Sequence, residues 1–245
     1  MSYNVRKDVA LMCHKSKQRR LVLCITLSML FLFMVFCPLN QSKAARTNAV
    51  VIKIKELAND IQYPVITAGI KNKNVKNKIN QSFLNHAKRI KKEDEKVKEQ
   101  YEHDKLIGIP GPYYAMTKPI IRYNQDHRLS VSFLDSTFTG GAHGNTYEEV
   151  YNYNTNNGKR YHLDDIVRTP KQVDKVNRYI KKQLIELKES GRYDIFLDEF
   201  KGIDTKKDQF YFYKDGFVMV FQLYQIAPYS NGIIHMKVPY SVLQD

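Results

Sequence analysis

The sequence predicts an α+β fold with antiparallel sheets and helices packed on one face, built as two small subdomains behind an N-terminal membrane or signal segment. Three observations support this prediction. An uncharged apolar run occupies residues 21–37, two later segments repeat apolar residues every three or four positions, and Asn157-Gly158 and Asp215-Gly216 each follow a stretch of predicted strand. These patterns are typical of a membrane or signal segment, of amphipathic helices and of β-hairpin turns.

The first forty residues predict delivery of the chain to a membrane. Residues 1–20 carry six Lys or Arg against one Asp and form a short basic leader, and residues 21–38 form a transmembrane helix or signal core. The uncharged run would span roughly 25 Å as a helix, which suits a short membrane span. Because basic flanks stay in the cytoplasm, the rest of the chain is expected outside it.

Residues 39–49 form a linker with a candidate signal-peptidase site, because Ser42 and Ala44 have the small-x-small spacing that precedes cleavage. Cleavage after Ala44 predicts a secreted protein, whereas a retained segment predicts a single-pass membrane protein with its ectodomain outside. Both fates stay open. All three cysteines precede the linker, so the exported part contains no disulfide and depends on its core for stability.

The N-terminal subdomain, residues 50–160, is predicted to surround one long helix with strands. The helix begins near Val75 and carries an apolar stripe on one side and a densely charged second half. The predicted strands are residues 50–54, 63–67, 120–123, 129–138 and 147–153.

The C-terminal subdomain, residues 161–245, is predicted to contain a second helix and a final sheet. Thr169 can cap the helix, Pro170 suits its first turn, and Gln172 completes the spacing of a capping box. Gly191 is a typical helix end. The predicted strands are residues 209–213, 217–226 and 233–238.

The charge of the chain is strongly positive, at a formal +14. Beyond residue 20 there are 33 basic and 24 acidic residues, a net charge of +9. Outside a cell, such a surface favours anionic partners such as wall polymers, although lysine-rich helix faces also serve plain solubility. No nucleic-acid-binding motif accompanies the charge, so no nucleic-acid partner is expected.

The segment Thr139–Asn145, TGGAHGN, is the most distinctive candidate for a ligand-binding loop. Gly140, Gly141 and Gly144 would let backbone N–H groups approach a ligand, and His143 could donate or accept a hydrogen bond. The alternative is a glycine-dependent bend between two strands, with His143 filling a polar niche.

Catalytic and metal-binding patterns are absent from the sequence. His143, His162, Asp164 and Asp165 lack a recognised ligand spacing, so no metal or cofactor is expected. The chain contains neither G-x-S-x-G nor H-E-x-x-H and is therefore predicted not to be an enzyme. Among its 17 tyrosines, the candidates for stacking on sugar rings are Tyr113, Tyr114, Tyr211 and Tyr213.

Several sequence blocks together resemble a known pair of domains. They are YPVI at 63–66, KIN at 78–80, LSVSF at 129–133, TGGAHG at 139–144, NGK at 157–159, LDDI at 163–166, YQIAPY at 224–229 and VPY at 238–240. Roughly residues 50–245 resemble the extracytoplasmic domains of unknown function in RsiV-type anti-sigma factors, which are lysozyme receptors. The same pair is similar to the N-terminal region of PdaC-type peptidoglycan deacetylases.

The resemblance implies an extracytoplasmic location but no deacetylase activity, because that activity resides in a separate domain whose Asp/His metal motif this sequence lacks. We therefore expect a non-enzymatic binding module of the bacterial cell envelope, with a cell-wall glycan or polymer or a lysozyme-type protein as its partner. The alternative is an anti-sigma-factor-like membrane receptor that senses lysozyme or envelope stress. The expected ligand surface comprises Gly140, Gly141, His143 and Gly144 together with Tyr224, Pro228 and Tyr229.

Overall fold

The structure is a computed structural model that describes residues 48–109 and 111–244. The basic leader, the apolar run at 21–38 and the candidate cleavage site at Ser42 and Ala44 lie outside these residues. Within the described ranges, neither of the long helices combines the length and apolar character that a bilayer span requires.

Six strands form the first sheet, and they lie side by side in chain order. All neighbours are antiparallel except β2 and β3, which run parallel. A long helix connects these two strands and returns the chain to the end where β2 began, so a parallel neighbour becomes possible. The strands are β1 (Val51–Ala58), β2 (Ile61–Ala68), β3 (Tyr114–Gln125), β4 (Arg128–Phe138), β5 (Asn145–Asn154) and β6 (Arg160–Tyr161).

The connecting helix, α1 (Lys73–Asp104), covers one face of this sheet. Asn72 caps it by accepting hydrogen bonds from the first free backbone N–H groups. The predicted apolar stripe is buried, and Phe83 packs against Phe133 of β4 at a ring-centroid distance of 5.9 Å. In the charged second half, Lys91 and Glu95 form one of the expected pairs four residues apart.

The second helix, α2 (Pro170–Glu189), begins as the capping box predicts. The Thr169 hydroxyl accepts from the Gln172 N–H at 3.2 Å, and the Gln172 side chain accepts from the Thr169 N–H at 3.3 Å. Its apolar stripe packs on a three-stranded antiparallel sheet formed by β7 (Gln209–Tyr213), β8 (Gly216–Phe221) and β9 (Ile234–Pro239). In the part of the chain that the structure describes, two α-helices and two sheets confirm the predicted α+β class.

The predicted hairpin forms between β7 and β8, but its loop lies one residue earlier than predicted: Lys214 and Asp215 form the loop, and Gly216 already pairs with Tyr213. A Cβ atom on Gly216 would lie 2.2 Å from the carbonyl oxygen of Val238, so the close approach of β9 requires glycine there. The prediction that the next strand continues to residue 226 is wrong. β8 ends at Phe221, because the chain turns at Tyr224, whose φ is +63°.

The two sheets meet through polar side chains that satisfy exposed strand edges. On β7, the Phe212 N–H donates to the Ser130 hydroxyl at 3.0 Å, and the Phe210 carbonyl accepts from Asn152 at 2.7 Å. On β5, the Val150 N–H donates to the Gln209 side chain at 2.8 Å. Unpaired strand edges expose backbone donors and acceptors, so these contacts define how the sheets dock. The described residues belong to one compact unit. The division of residues 50–245 into two subdomains near residue 160 therefore stays a prediction.

Glu148 of β5 is fully buried at this junction. One carboxylate oxygen accepts from the Ser132 hydroxyl and from Arg122 Nη2, the latter at 2.8 Å. The other oxygen makes no well-aligned hydrogen bond, but His235 Nε2 lies 3.1 Å from it. Burial by itself would raise the pKa of Glu148. The contacts with His235 and Ser132 and the charge of Arg122 outweigh burial and lower the pKa below its ordinary value.

Substitution Glu148→Gln should destabilise the protein at pH 7 by about 2–4 kcal/mol, because it leaves the Arg122 charge without its buried partner. A carboxyl whose pKa is lowered by folding stabilises the folded state above its unfolded-state pKa and loses that contribution as pH falls through the folded value. The stability difference between parent and variant should therefore shrink below about pH 4. Urea unfolding at several pH values measures it.

Glu99→Gln is the matched control, since Glu99 is an exposed carboxylate on α1. It should change the unfolding free energy by less than about 0.5 kcal/mol at every pH. A Glu148→Gln protein that matches the parent at pH 7 would show that the buried carboxylate does not stabilise the junction.

Candidate functional site

The loop at 139–144 connects β4 to β5 and has a backbone that depends on glycine. Gly140 and Gly141 both have φ of +89°, a conformation that other residues rarely adopt. A Cβ on Gly144 would lie 2.9 Å from the Thr137 carbonyl oxygen. The glycine-dependent bend is therefore present, and it holds the intervening His143 side chain at the surface.

The segment at 224–229 follows β8, and its first residue, Tyr224, lies between two anchors. Before Tyr224, the Gln222 side chain accepts from the Glu148 N–H at 2.9 Å and donates to the Glu148 carbonyl at 3.0 Å. After Tyr224, Ile226 is buried, and its carbonyl accepts from the Phe196 N–H at 2.8 Å. Tyr224 lies between these anchors with 57% of its surface exposed.

The structure brings these two segments together, although they are some eighty residues apart in the chain. The His143 ring stacks on Tyr229 with centroids 3.9 Å apart and planes inclined by 21°. The Tyr224 hydroxyl lies 3.4 Å from His143 Nε2, and the Tyr224 and Tyr229 rings are 5.9 Å apart. We call His143, Tyr224 and Tyr229 the aromatic patch.

The hydrogen bonds of His143 determine how its ring is presented. Nδ1 lies 2.9 Å from the Gly144 carbonyl oxygen, which can only accept, so Nδ1 carries the proton in the neutral ring. Nε2 is then an acceptor that faces the Tyr224 hydroxyl. The patch offers aromatic faces with polar groups at their edges, an arrangement suited to stacking and hydrogen bonding with a ligand. The backbone around the patch is shaped by Gly140, Gly141, Gly144 and Pro228, which add no aromatic ring.

The four other tyrosines proposed for stacking lie outside the patch. Tyr113 is buried and donates to Asp104 at 2.9 Å, whereas Tyr114 stacks on Phe138. Tyr211 lies beneath Arg122 at the sheet junction, and Tyr213 faces Lys237.

His143, His162 and Asp165, which lack a recognised metal-ligand spacing, have local roles. The His162 N–H donates to Asp165 at 3.0 Å, and this contact caps a short turn at Leu163–Asp165. Asp165 also pairs with Lys159. His143, as described above, stacks on Tyr229.

A second polar cluster, which the sequence analysis missed, lies between α1 and the first sheet. His86 is 2% exposed, and its Nε2 lies 2.8 Å from Asp135 Oδ1. Arg89, one turn further along α1, contacts both Asp135 and Glu149. Among the described residues, His86, Asp135 and Glu149 are the group whose side chains come close enough together to hold a metal ion. We call His86, Arg89, Asp135 and Glu149 the His86 cluster.

A weak sequence pattern marks this cluster. His86 occupies the buried side of α1 between Phe83 and Ile90. Asp135 and Glu149 continue the inward-facing alternation of β4 and β5, at positions where apolar residues would be expected. Tyr151 borders the cluster. Burial of its hydroxyl and the nearby negative charge of Glu149 both raise the pKa of Tyr151.

Comparison with known proteins places family models on two parts of the chain. Residues 53–146 match the model described as deacetylase PdaC, and residues 164–241 match that of a protein of unknown function, DUF3298. A search of curated proteins found no match.

A search of solved structures found matches in the DUF3298 family, and the match with a TM-score above 0.5 has a similar fold. One, from Bacteroides fragilis NCTC 9343, is 20% identical with a TM-score of 0.53, covering 81% of this chain and 94% of that one. Another, from Pseudomonas aeruginosa PAO1, is 16% identical with a TM-score of 0.49, covering 79% and 89%. The chain thus combines a PdaC-type region with a DUF3298 region, in the order indicated by its sequence blocks.

Proposed function

We propose that this protein is a non-enzymatic, extracytoplasmic binding module of the bacterial cell envelope. Its ligand is a cell-wall glycan or polymer that contacts the aromatic patch. The observation that carries the proposal is Tyr224, a large exposed side chain held at a φ of +63° beside the stacked pair of His143 and Tyr229.

The backbone at Tyr224 supports a role in binding. A bulky residue in the left-handed region costs about 1–2 kcal/mol and persists only where its surroundings impose the conformation. Here the Gln222 and Ile226 anchors impose it, yet more than half of the Tyr224 surface faces solvent. Because an exposed ring gains little packing energy, its fixed presentation points to contact with a ligand.

The chemistry of the patch and the charge of the chain favour a wall polymer. Aromatic faces accept flat, partly apolar partners such as sugar rings, while the Tyr224 hydroxyl and the histidine can bond hydroxyl groups at their edges. The net charge of +9 beyond residue 20 attracts anionic polymers. Glycoside hydrolysis usually requires a pair of carboxylates. The three side chains of the patch include none, so we propose that the patch binds its ligand without cleaving it.

The proposed location is the outer side of the cell membrane. Residues 21–38 would tether the module there, and cleavage after Ala44 would release it. The resemblance of residues 50–245 to the extracytoplasmic domains of RsiV-type anti-sigma factors supports this location, and the PdaC and DUF3298 matches agree with that resemblance.

Tyr224→Ala should weaken binding to purified cell walls by about tenfold, because it removes the exposed ring that the anchors hold in place. The full-length chain in a mild non-ionic detergent is suited to this measurement, since residues 21–37 are apolar. Sedimentation with walls across a salt series gives the affinity and separates stacking from charge attraction, which salt weakens.

Leu106→Ala is the control for loss of exposed apolar surface, because Leu106 is 79% exposed and lies outside the patch. It should leave wall binding unchanged. Equal binding by parent and Tyr224→Ala would contradict the assignment of the patch. Tight binding of lysozyme with no saturable wall binding would replace the proposed ligand with a wall-attacking protein.

Tyr224→Gly should be more stable than Tyr224→Ala by about 1 kcal/mol, because glycine adopts a positive φ without steric cost. Both variants lack the ring, so both should bind walls equally poorly. Urea unfolding measures the stability difference. A glycine variant less stable than the alanine variant would show that the turn does not hold this conformation in solution.

A further inference from the structure

A small polar cavity lies where the first sheet meets the loop that leads into β7. Its volume is about 40 Å³. Since one water needs roughly 10–15 Å³ of such space, the cavity is large enough for about three waters or one small oxyanion. Its lining comes from both sides of the junction. Arg160 belongs to β6 at the edge of the first sheet, and residues 205–208 precede β7 of the second.

Arg160 is a half-buried cation that has no acidic partner among the described residues. Its guanidinium carbon lies 4.1 Å from the centre of the Tyr151 ring. Its hydrogen bond to the Val150 carbonyl is long, at 3.4 Å. A guanidinium has five N–H donors, so most of those on Arg160 have no acceptor in the described part of the chain. Arginine donors of this kind bind phosphate and carboxylate oxygens most strongly.

Two further donors line the cavity without an acceptor. The Thr205 hydroxyl and the Lys206 ammonium group make no hydrogen bond or ion pair with any residue that the structure describes. Lys207 also lines the cavity, but its ammonium group pairs with Asp204 at 3.5 Å. Asp208 is the acid of the lining, and its Oδ2 accepts from the Asp204 N–H at 2.7 Å. Three cations against one carboxylate give the lining a net charge of +2.

We propose that this cavity binds a phosphate group through Arg160, Thr205 and Lys206. Phosphate suits the lining better than carboxylate does, because it offers more acceptor oxygens and carries up to two negative charges. The donors belong to β6 and to the loop before β7, so a bound phosphate joins the first sheet to the entrance of the second. The phosphate can be a free ion or the terminal phosphate ester of a polymer. No residue of the aromatic patch lines the cavity, so the site is independent of the proposed wall binding.

Calorimetric titration of the full-length chain with inorganic phosphate, at constant ionic strength in a mild non-ionic detergent, tests the proposal. The parent should bind one phosphate. Arg160→Gln should bind it about tenfold more weakly, because charged hydrogen bonds are lost. Lys206→Gln should bind about threefold more weakly, as suits an exposed cation. Lys214→Gln is the matched control, since Lys214 is exposed on a turn outside the cavity, and it should match the parent.

Glycerol 3-phosphate distinguishes the two sources of the group. Binding comparable to that of inorganic phosphate would show that the end of a polymer can enter the cavity. Binding of inorganic phosphate alone would assign the site to the free ion.

Thermal unfolding provides a second measurement on the same proteins. Phosphate should raise the melting temperature of the parent, and it should raise that of Arg160→Gln much less. Each variant is compared with itself without phosphate, so a lower starting stability of Arg160→Gln does not affect the result. Tyr224→Ala should bind phosphate as the parent does, which separates this test from that of the aromatic patch.

Three results would overturn the inference. The first is a parent protein without saturable phosphate binding. The second is an Arg160→Gln protein that binds phosphate as tightly as the parent. The third is a Lys214→Gln protein weakened as much as Lys206→Gln, because the effect would then come from overall charge and not from the cavity.

Discussion

The buried carboxylate of Glu148 is the contact on which the arrangement of the two sheets depends. A charge removed from water is tolerated only when it is paired and hydrogen-bonded. Glu148 finds these partners on both sides of the junction, Arg122 and Ser132 in the first sheet and His235 in the second. Moving the sheets apart would leave the charge without part of its compensation. The junction is therefore specific in a way that apolar packing alone would not make it.

The same residue links the junction to the surface. The backbone N–H and C=O of Glu148 hold the Gln222 side chain, and Gln222 begins the turn that presents Tyr224. The β4–β5 loop supplies His143 from the other side. Because the patch combines a loop of the PdaC-type region with a turn of the DUF3298 region, it exists only while the two sheets stay docked.

Much of the fold could be predicted from local patterns. The capping box at Thr169 and the hairpin between β7 and β8 depend on neighbouring residues, and both form, the hairpin with its loop one residue earlier than predicted. The parallel pairing of β2 with β3 depends on where a long helix returns the chain, which local periodicity does not record. The early end of β8 depends on Tyr224 adopting a conformation that its residue type disfavours.

The two candidate sites also differ in how much of each could be predicted from local sequence patterns. Both segments of the aromatic patch stood out, one by its glycines and one by its YQIAPY block, but their contact is a product of sheet docking. The His86 cluster gave no comparable pattern, because its residues come from three elements and each looks like an ordinary polar residue in its own segment. Only the alternation of β4 and β5, extended one step beyond the apolar residues, places Asp135 and Glu149 on the helix-covered face.

Strand alternation also explains how two consecutive acids serve unrelated networks. Side chains in β5 point to opposite faces in turn, so Glu148 faces the second sheet and Glu149 faces α1. A shift of one residue in the pairing of β5 with β4 would exchange them. The shift would place Glu149 beside Arg122 and Glu148 beside Arg89, so each acid would still have a cation. It would also turn Tyr151 and Tyr153 out of the core, where both now pack against Phe83. The aromatic residues of β5, more than its acids, therefore set the register on which both networks depend.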